Sequence, residues 1–183
     1  FRDSYKIVIK RYNTKNNWHR LRRTIRRSRA ENSWHFTRTL RSLDVSAAPA
    51  VAWIQEIQVG LKGRSWFVSE FIDGISCLDH LKRDVPHAKI EKTLGEIVGI
   101  LCKLRDKHIS HGDLKATNIL LSDQGPVLID LDAMRQHKTE TTYRQAARKD
   151  INRFLRNWKD NPVLLATARQ LLSAQGFPTD SRF

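Results

Sequence analysis

Residues 111–118 read His111-Gly112-Asp113-Leu114-Lys115-Ala116-Thr117-Asn118, and Ile129-Asp130-Leu131-Asp132 follows after two short apolar runs around a turn. Phosphoryl transfer to a hydroxyl gives every polar position here a task. An aspartate must take the hydroxyl proton, a lysine neutralises charge on the moving group, and an amide oxygen with a second carboxylate holds Mg²⁺ against the phosphates. Asp113, Lys115, Asn118 and Asp130 supply that set. Four specified residues at fixed offsets arise by chance in a chain of this length on the order of once in a thousand. The competing reading is an ordinary turn, with Asp113 capping a loop, Lys115 solvated and Asn118 bonding its own backbone.

Outward from this loop, the pattern predicts alternating strands and helices. Asn118 to Ser122 and Val127 to Leu131 read as strands around Asp123-Gln124-Gly125-Pro126. Upstream, Ile90, Leu94, Ile97, Leu101 and Leu104 recur at the period of an amphipathic helix. Cys77 to Leu81 reads as a short helix after the break at Asp73-Gly74. Trp53 to Val59 and Ser65 to Phe71 read as strands joined by Gly60-Leu61-Lys62-Gly63, and Tyr5 to Lys10 as a β-branched strand. The stretch Arg11 to Leu43 is helix-compatible in its second half. Downstream, Arg144 to Trp158 and Pro162 to Leu172 read as closing helices, with Pro162 in a first turn and Gly176 as a stop.

The chain has 183 residues and a net charge of +14, from 33 Lys+Arg against 19 Asp+Glu. Its length suits one sizeable core or one two-lobed unit and is too small for several independent domains. The charge points to an anionic partner: nucleic acid, a phosphorylated substrate or an acidic membrane surface. Residues 1–50 alone hold 13 Lys+Arg against 3 Asp+Glu. Cys77 and Cys102 have no metal-site or disulfide spacing, which fits a reducing compartment. No apolar run approaches the ~18 residues that a membrane-spanning helix needs. The only methionine is Met134 and no signal peptide is visible, so the natural start is expected upstream of Phe1.

His111-Gly112-Asp113 resembles the catalytic loop of the protein-kinase-like superfamily, and Asp130-Leu131-Asp132 resembles its metal-binding triplet. The resemblance covers residues 5 to about 135 and implies an α+β, protein-kinase-like two-lobed fold. Residues 1–71 would form a partial N-lobe and 72–183 a reduced helical C-lobe. It implies ATP and Mg²⁺ as cofactors, with Asp113 and Lys115 catalytic and Asn118 and Asp130 on the metal. Lys10, ending Val8-Ile9-Lys10, would hold the α- and β-phosphates; taken alone it reads as a solvated edge charge. Glu31 would pair with Lys10, though a surrounding arginine is an equal partner for it. Phe67 to Ile72 resembles the hinge, where the Glu70 carbonyl and the Ile72 N–H would meet adenine; a strand running into a turn is the plainer reading.

Two features depart from that pattern. Nine residues precede Lys10 and none is glycine, so an N-terminally truncated fold without its glycine-rich loop is expected. After Asp130 there is no Ala-Pro-Glu-like segment, which favours a small acceptor over a docked protein. The basic run, Ser28-Arg29-Ala30-x-x-Ser33-Trp34, His111 to Leu120, Ile129 to Asp132 and Phe154-Leu155-Arg156-Asn157-Trp158 together resemble the bacterial lipopolysaccharide core kinases. That likeness implies ATP-dependent phosphorylation of a Kdo or heptose hydroxyl on the lipid-linked core oligosaccharide. It also implies a cytoplasmic protein, peripheral on the anionic inner-membrane surface.

Nine Lys+Arg and no acid lie between Lys10 and Arg29, interleaved with Trp18, Leu21 and Ile25. A membrane or lipopolysaccharide contact, nucleic acid and a solvated helix face are all open readings of this run, with nucleic acid not favoured. The alternatives to a sugar kinase are another small-molecule or protein Ser/Thr phosphotransferase and a non-catalytic kinase-like binding protein.

Overall fold

The computed structural model describes residues 5–13, 27–58 and 60–179. The chain divides into two units. The first runs to Ile72 and takes in Asp130–Ala133; the second holds Asp73–Ile129 and Met134 onward. The segment carrying Asp130 thus belongs to the first unit, although its place in the chain had put it with residues 72–183.

In the first unit, β1 (Ile7–Tyr12), β2 (Ala50–Gln58) and β3 (Leu61–Glu70) form an antiparallel sheet in the order β1-β3-β2. Lys10 faces Phe67 across the β1–β3 ladder. Helix α1 (Arg29–Ser42) lies on this sheet and buries Ala30, Phe36 and Leu40, while Tyr12, Ala30 and Phe67 form a small core with Trp34 and Ala50 against it. The helix begins where the sequence supplies a reciprocal cap: the Glu31 N–H donates to Ser28 Oγ and the Ser28 N–H donates to the Glu31 carboxylate. Most of the basic run, including Trp18, Leu21 and Ile25, lies outside the described residues.

The hairpin loop is tighter than Gly60–Gly63. Gly60 turns at φ +71° and β3 resumes at Leu61, with Gln58 facing Leu61 and Ile57 facing Lys62. Gly63 is a residue of β3, and a Cβ there would meet the Glu56 carboxylate at 2.7 Å. Glu56 is held there by the Arg64 N–H at 2.9 Å and by its guanidinium at 3.0 Å.

The second unit contains β4 (Ile75–Ser76), α2 (Cys77–Leu81), α3 (His87–Asp106), β5 (Ile109–Ser110), β6 (Ile119–Ser122), β7 (Gly125–Leu128), β8 (Arg135–Gln136), α4 (Glu140–Arg156) and α5 (Pro162–Ala174). Strands β4-β6-β7 make one small sheet and β5-β8 another. The expected apolar stripe on α3 is the buried face of that helix: Ile90, Leu94, Ile97, Leu101 and Leu104 are all inside. Pro162 opens α5 behind an Asn161 cap, and Gly176 follows the helix at φ +75°. The expected strand Val127–Leu131 ends early, because Asp130 takes a left-handed φ of +62° and Leu131–Ala133 coil into a 3₁₀ turn. Asp is among the few side chains that tolerate this region. Among the described residues no helix is long and apolar enough to cross a membrane.

Candidate active site

In the second unit, the loop between β5 and β6 gathers three of the sequence-predicted residues. Gly112 turns the chain at φ +81°, a conformation that favours glycine. The Asp113 carbonyl then accepts from the Lys115 N–H at 2.9 Å and from Asn118 Nδ2 at 2.9 Å, which folds Asn118 back over the aspartate. Lys115 Nζ lies 3.1 Å from Asp113 Oδ2, and Asn118 Nδ2 lies 3.4 Å from the same oxygen. Arg153 of α4 bonds the other carboxylate oxygen, Oδ1. Partial burial works to raise the Asp113 carboxyl, but Lys115 and Arg153 outweigh it and hold the group below its usual range. Asp113 is therefore an ionised acceptor at neutral pH.

Two residues of this constellation escaped the sequence reading. Asp150, buried on α4, accepts both the His111 N–H at 2.7 Å and the Gly112 N–H at 3.0 Å through Oδ2, pinning the loop from behind. Arg153 sits three residues further along the same helix. The signal was present: Asp150 interrupts the buried row of Tyr143, Ala147, Ile151 and Phe154 with a charge. A carboxylate on an apolar stripe is costly unless bonded.

The first unit gathers a different set. Lys10 Nζ is paired with Asp130 Oδ1, and Arg29 Nε with Asp132 Oδ2. Asn32 Nδ2 donates to the Asp132 carbonyl at 3.1 Å, tying α1 to this turn. Lys10 and Arg29 both lie over the Tyr12 ring, at 5.4 and 4.7 Å from its centroid. Burial pushes the Tyr12 phenol well above its usual range. Burial, and then the neighbouring Asp130 carboxylate, also push Asp132 upward against the pull of Arg29.

The expected Lys10–Glu31 pair is not what the structure shows. Glu31 caps α1 and lies 3.4 Å from Lys62, while Lys10 is taken by Asp130. The reason is positional: Glu31 is the third residue of its helix, committed to its own N-terminus. Glu70 ends β3, with its N–H bonded to the Pro49 carbonyl at 2.9 Å and its carboxylate to the Tyr5 hydroxyl at 2.9 Å. Phe71 donates to Lys6, and Ile72 follows as the last residue of the unit's main segment.

The donor chemistry suits Mg²⁺. Among the described residues no group of three or more His, Cys, Asp or Glu could cage a metal. Magnesium needs less: one or two carboxylates, with phosphate and water oxygens completing its shell. The Asp130 carboxylate neighbours that of Asp132, and the two would give such a cation its carboxylate ligands. Both bonds of the Asn118 amide run from Nδ2, so neither uses its oxygen.

The class these features define is that of kinases: an α+β, protein-kinase-like fold carrying an aspartate–lysine–asparagine loop. Two solved structures share the fold. WaaP in complex with acyl carrier protein superposes with a TM-score of 0.57 at 17% identity, over 80% of this chain and 70% of that one. The PK-1 kinase of Cydia pomonella granulovirus gives 0.53 at 16% identity, over 75% and 46%. A family profile of the lipopolysaccharide kinase (Kdo/WaaP) family matches residues 2–174, and the chain belongs to that family. Shorter matches reach the EKC/KEOPS complex subunit BUD32 of Debaryomyces hansenii, 32% identical over 80 residues, and the sporulation-specific protein 1 of Saccharomyces cerevisiae, 38% over 66. These stretches span 44% and 34% of this chain but only 30% and 14% of the two relatives.

Proposed function

We propose that the protein is an ATP-dependent kinase that phosphorylates a sugar hydroxyl of the lipopolysaccharide inner core. The observation that carries this reading is Asp113, ionised and held between Lys115 and Arg153 with the Asn118 amide folded over it, in a chain of the Kdo/WaaP family. Asp113 accepts the proton of the attacking hydroxyl. Lys115 neutralises charge on the transferred group. Asn118 and Asp130 are the residues proposed to hold Mg²⁺, and Lys10 would hold the nucleotide phosphates. When bound, Mg²⁺ and ATP supply the electrophilic γ-phosphoryl group. The Glu70 carbonyl and the Ile72 N–H are the proposed adenine contacts.

The acceptor is a Kdo or heptose residue of the lipid-linked core, and the protein works peripherally on the cytoplasmic face of the inner membrane. The basic run between Lys10 and Arg29 supports this placement, since lipid A and acidic phospholipids are both anionic. The test is transfer of label from γ-labelled ATP by the full-length protein, offered core lipid, a panel of small alcohols and a generic Ser/Thr protein. Labelled core lipid is expected, with the label lost in Asp113→Asn. Label on protein only would favour a protein kinase. No transfer to any acceptor, with the cellular phenotype intact in Asp113→Asn, would favour a non-catalytic role.

A further inference from the structure

Arg29 opens α1, where a cation opposes the dipole of the helix. What offsets this is Asp132, whose side chain is only 4% exposed and whose Oδ2 accepts from Arg29 Nε. Asn32, three residues along and on the same face of the helix, holds the same aspartate by its backbone, donating to the Asp132 carbonyl at 3.1 Å. The first turn of α1 thus grips one residue at both side chain and main chain. That turn is itself fixed by the reciprocal cap between Ser28 and Glu31. Tyr12 sets the spacing: Lys10 and Arg29 lie over the same buried ring, one reaching Asp130 and the other Asp132. Glu31, the one acid of α1, is committed to the cap and to Lys62. The helix therefore meets the Asp130–Asp132 turn through a cation and an amide.

We infer that Arg29 and Asn32 are positioning residues for the Asp130 carboxylate, acting through Asp132. Asp130 stands at φ +62°, a backbone region that persists in a non-glycine residue only where its surroundings over-determine it. Leu131–Ala133 coil directly after it, and anchoring Asp132 fixes that coil in place. Without Arg29 and Asn32 the turn relaxes, and Asp130 no longer presents its carboxylate in one orientation. Mg²⁺ demands near-ideal geometry and is then held less tightly. The inference rests on the kinase reading proposed above for its metal.

The experiment uses the full-length protein with ADP and with Mn²⁺ in place of Mg²⁺, metal binding being read by water-proton relaxation. Arg29→Gln is expected to weaken Mn²⁺ binding by about 10–100-fold, and Asn32→Ala by less. Arg29→Lys restores the charge but not the planar fork, and should fall between the wild type and Arg29→Gln. Hydrogen exchange of the protein alone gives the second readout. Amides 131–134 should exchange faster in Arg29→Gln and Asn32→Ala, while the β1–β3 ladder and loop 111–118 keep their wild-type rates. Unchanged or tighter Mn²⁺ binding in both variants overturns the inference. So does faster exchange spread evenly over β1–β3, the mark of an arginine that only stabilises the fold. If the wild type itself binds no Mn²⁺ with ADP, the kinase reading fails and the exchange decides. Faster exchange confined to residues 131–134 then upholds the anchoring of the turn, and equal exchange overturns it.

Discussion

Asp113 meets two cations and an amide while keeping its charge, and that combination ties one side chain to one role. Asp113→Asn preserves the size of the group and much of its bonding but removes the basic oxygen. Activity is expected to fall by about 10²–10⁴-fold in kcat, with a circular dichroism spectrum like that of the wild type. Asp150 acts through the backbone rather than on substrate. Asp150→Asn weakens the two N–H bonds that hold His111 and Gly112, and is expected to lower kcat more than KM for ATP in steady-state assays. The cysteines offer a contrast with these reactive groups. Burial pushes the Cys77 thiol up to about 12, and Cys102 is partly exposed. Because the thiolate is the species that reacts, alkylation at pH 8 should label Cys102 in the native protein and Cys77 only after unfolding, as peptide mass spectrometry would read.

Among the elements, α3 and the short helix α2 were legible because their apolar residues repeat at the helical period or sit between clear breaks. The site loop was legible because Asp113, Lys115 and Asn118 have meaning only together. Other features were hidden for a physical reason. Strand ends at Gly60 and Asp130 depend on left-handed backbone angles that a run of β-branched residues does not disclose. The partner of Lys10 depends on a contact 120 residues away in sequence, with Asp130 rather than with the one acid on the nearby helix. Asp150 and Arg153 lie beyond the recognised motif, on a helix that reads simply as amphipathic. That helix also supports the second unit: Phe154 is fully buried with its ring 5.9 Å from Trp158, edge to face. Phe154→Ala is expected to cost about 3–5 kcal/mol in chemical denaturation. Ser28→Ala, which removes one half of the α1 cap, should cost only about 1 kcal/mol in the same measurement.

At the scale of the whole molecule, charge is the property that remains after fold and site are accounted for. The net +14 is concentrated in residues 1–50, which hold 13 of the 33 basic residues and only 3 acids. If the protein works at the inner-membrane surface as proposed, it is expected to co-sediment with vesicles rich in anionic phospholipid at low salt. Release should follow as the Debye length shrinks below ~10 Å above 0.1 M salt. Equal or tighter binding to DNA at matched salt would move the basic run to the nucleic-acid reading.

The most direct test of the central claim is mass spectrometry of core lipid incubated with ATP, Mg²⁺ and the full-length protein, wild type beside Asp113→Asn. The expected result is one added phosphate on a Kdo or heptose residue with the wild type and none with the variant. An unmodified lipid with active wild-type protein, or the same phosphate added by Asp113→Asn at the wild-type rate, would contradict it.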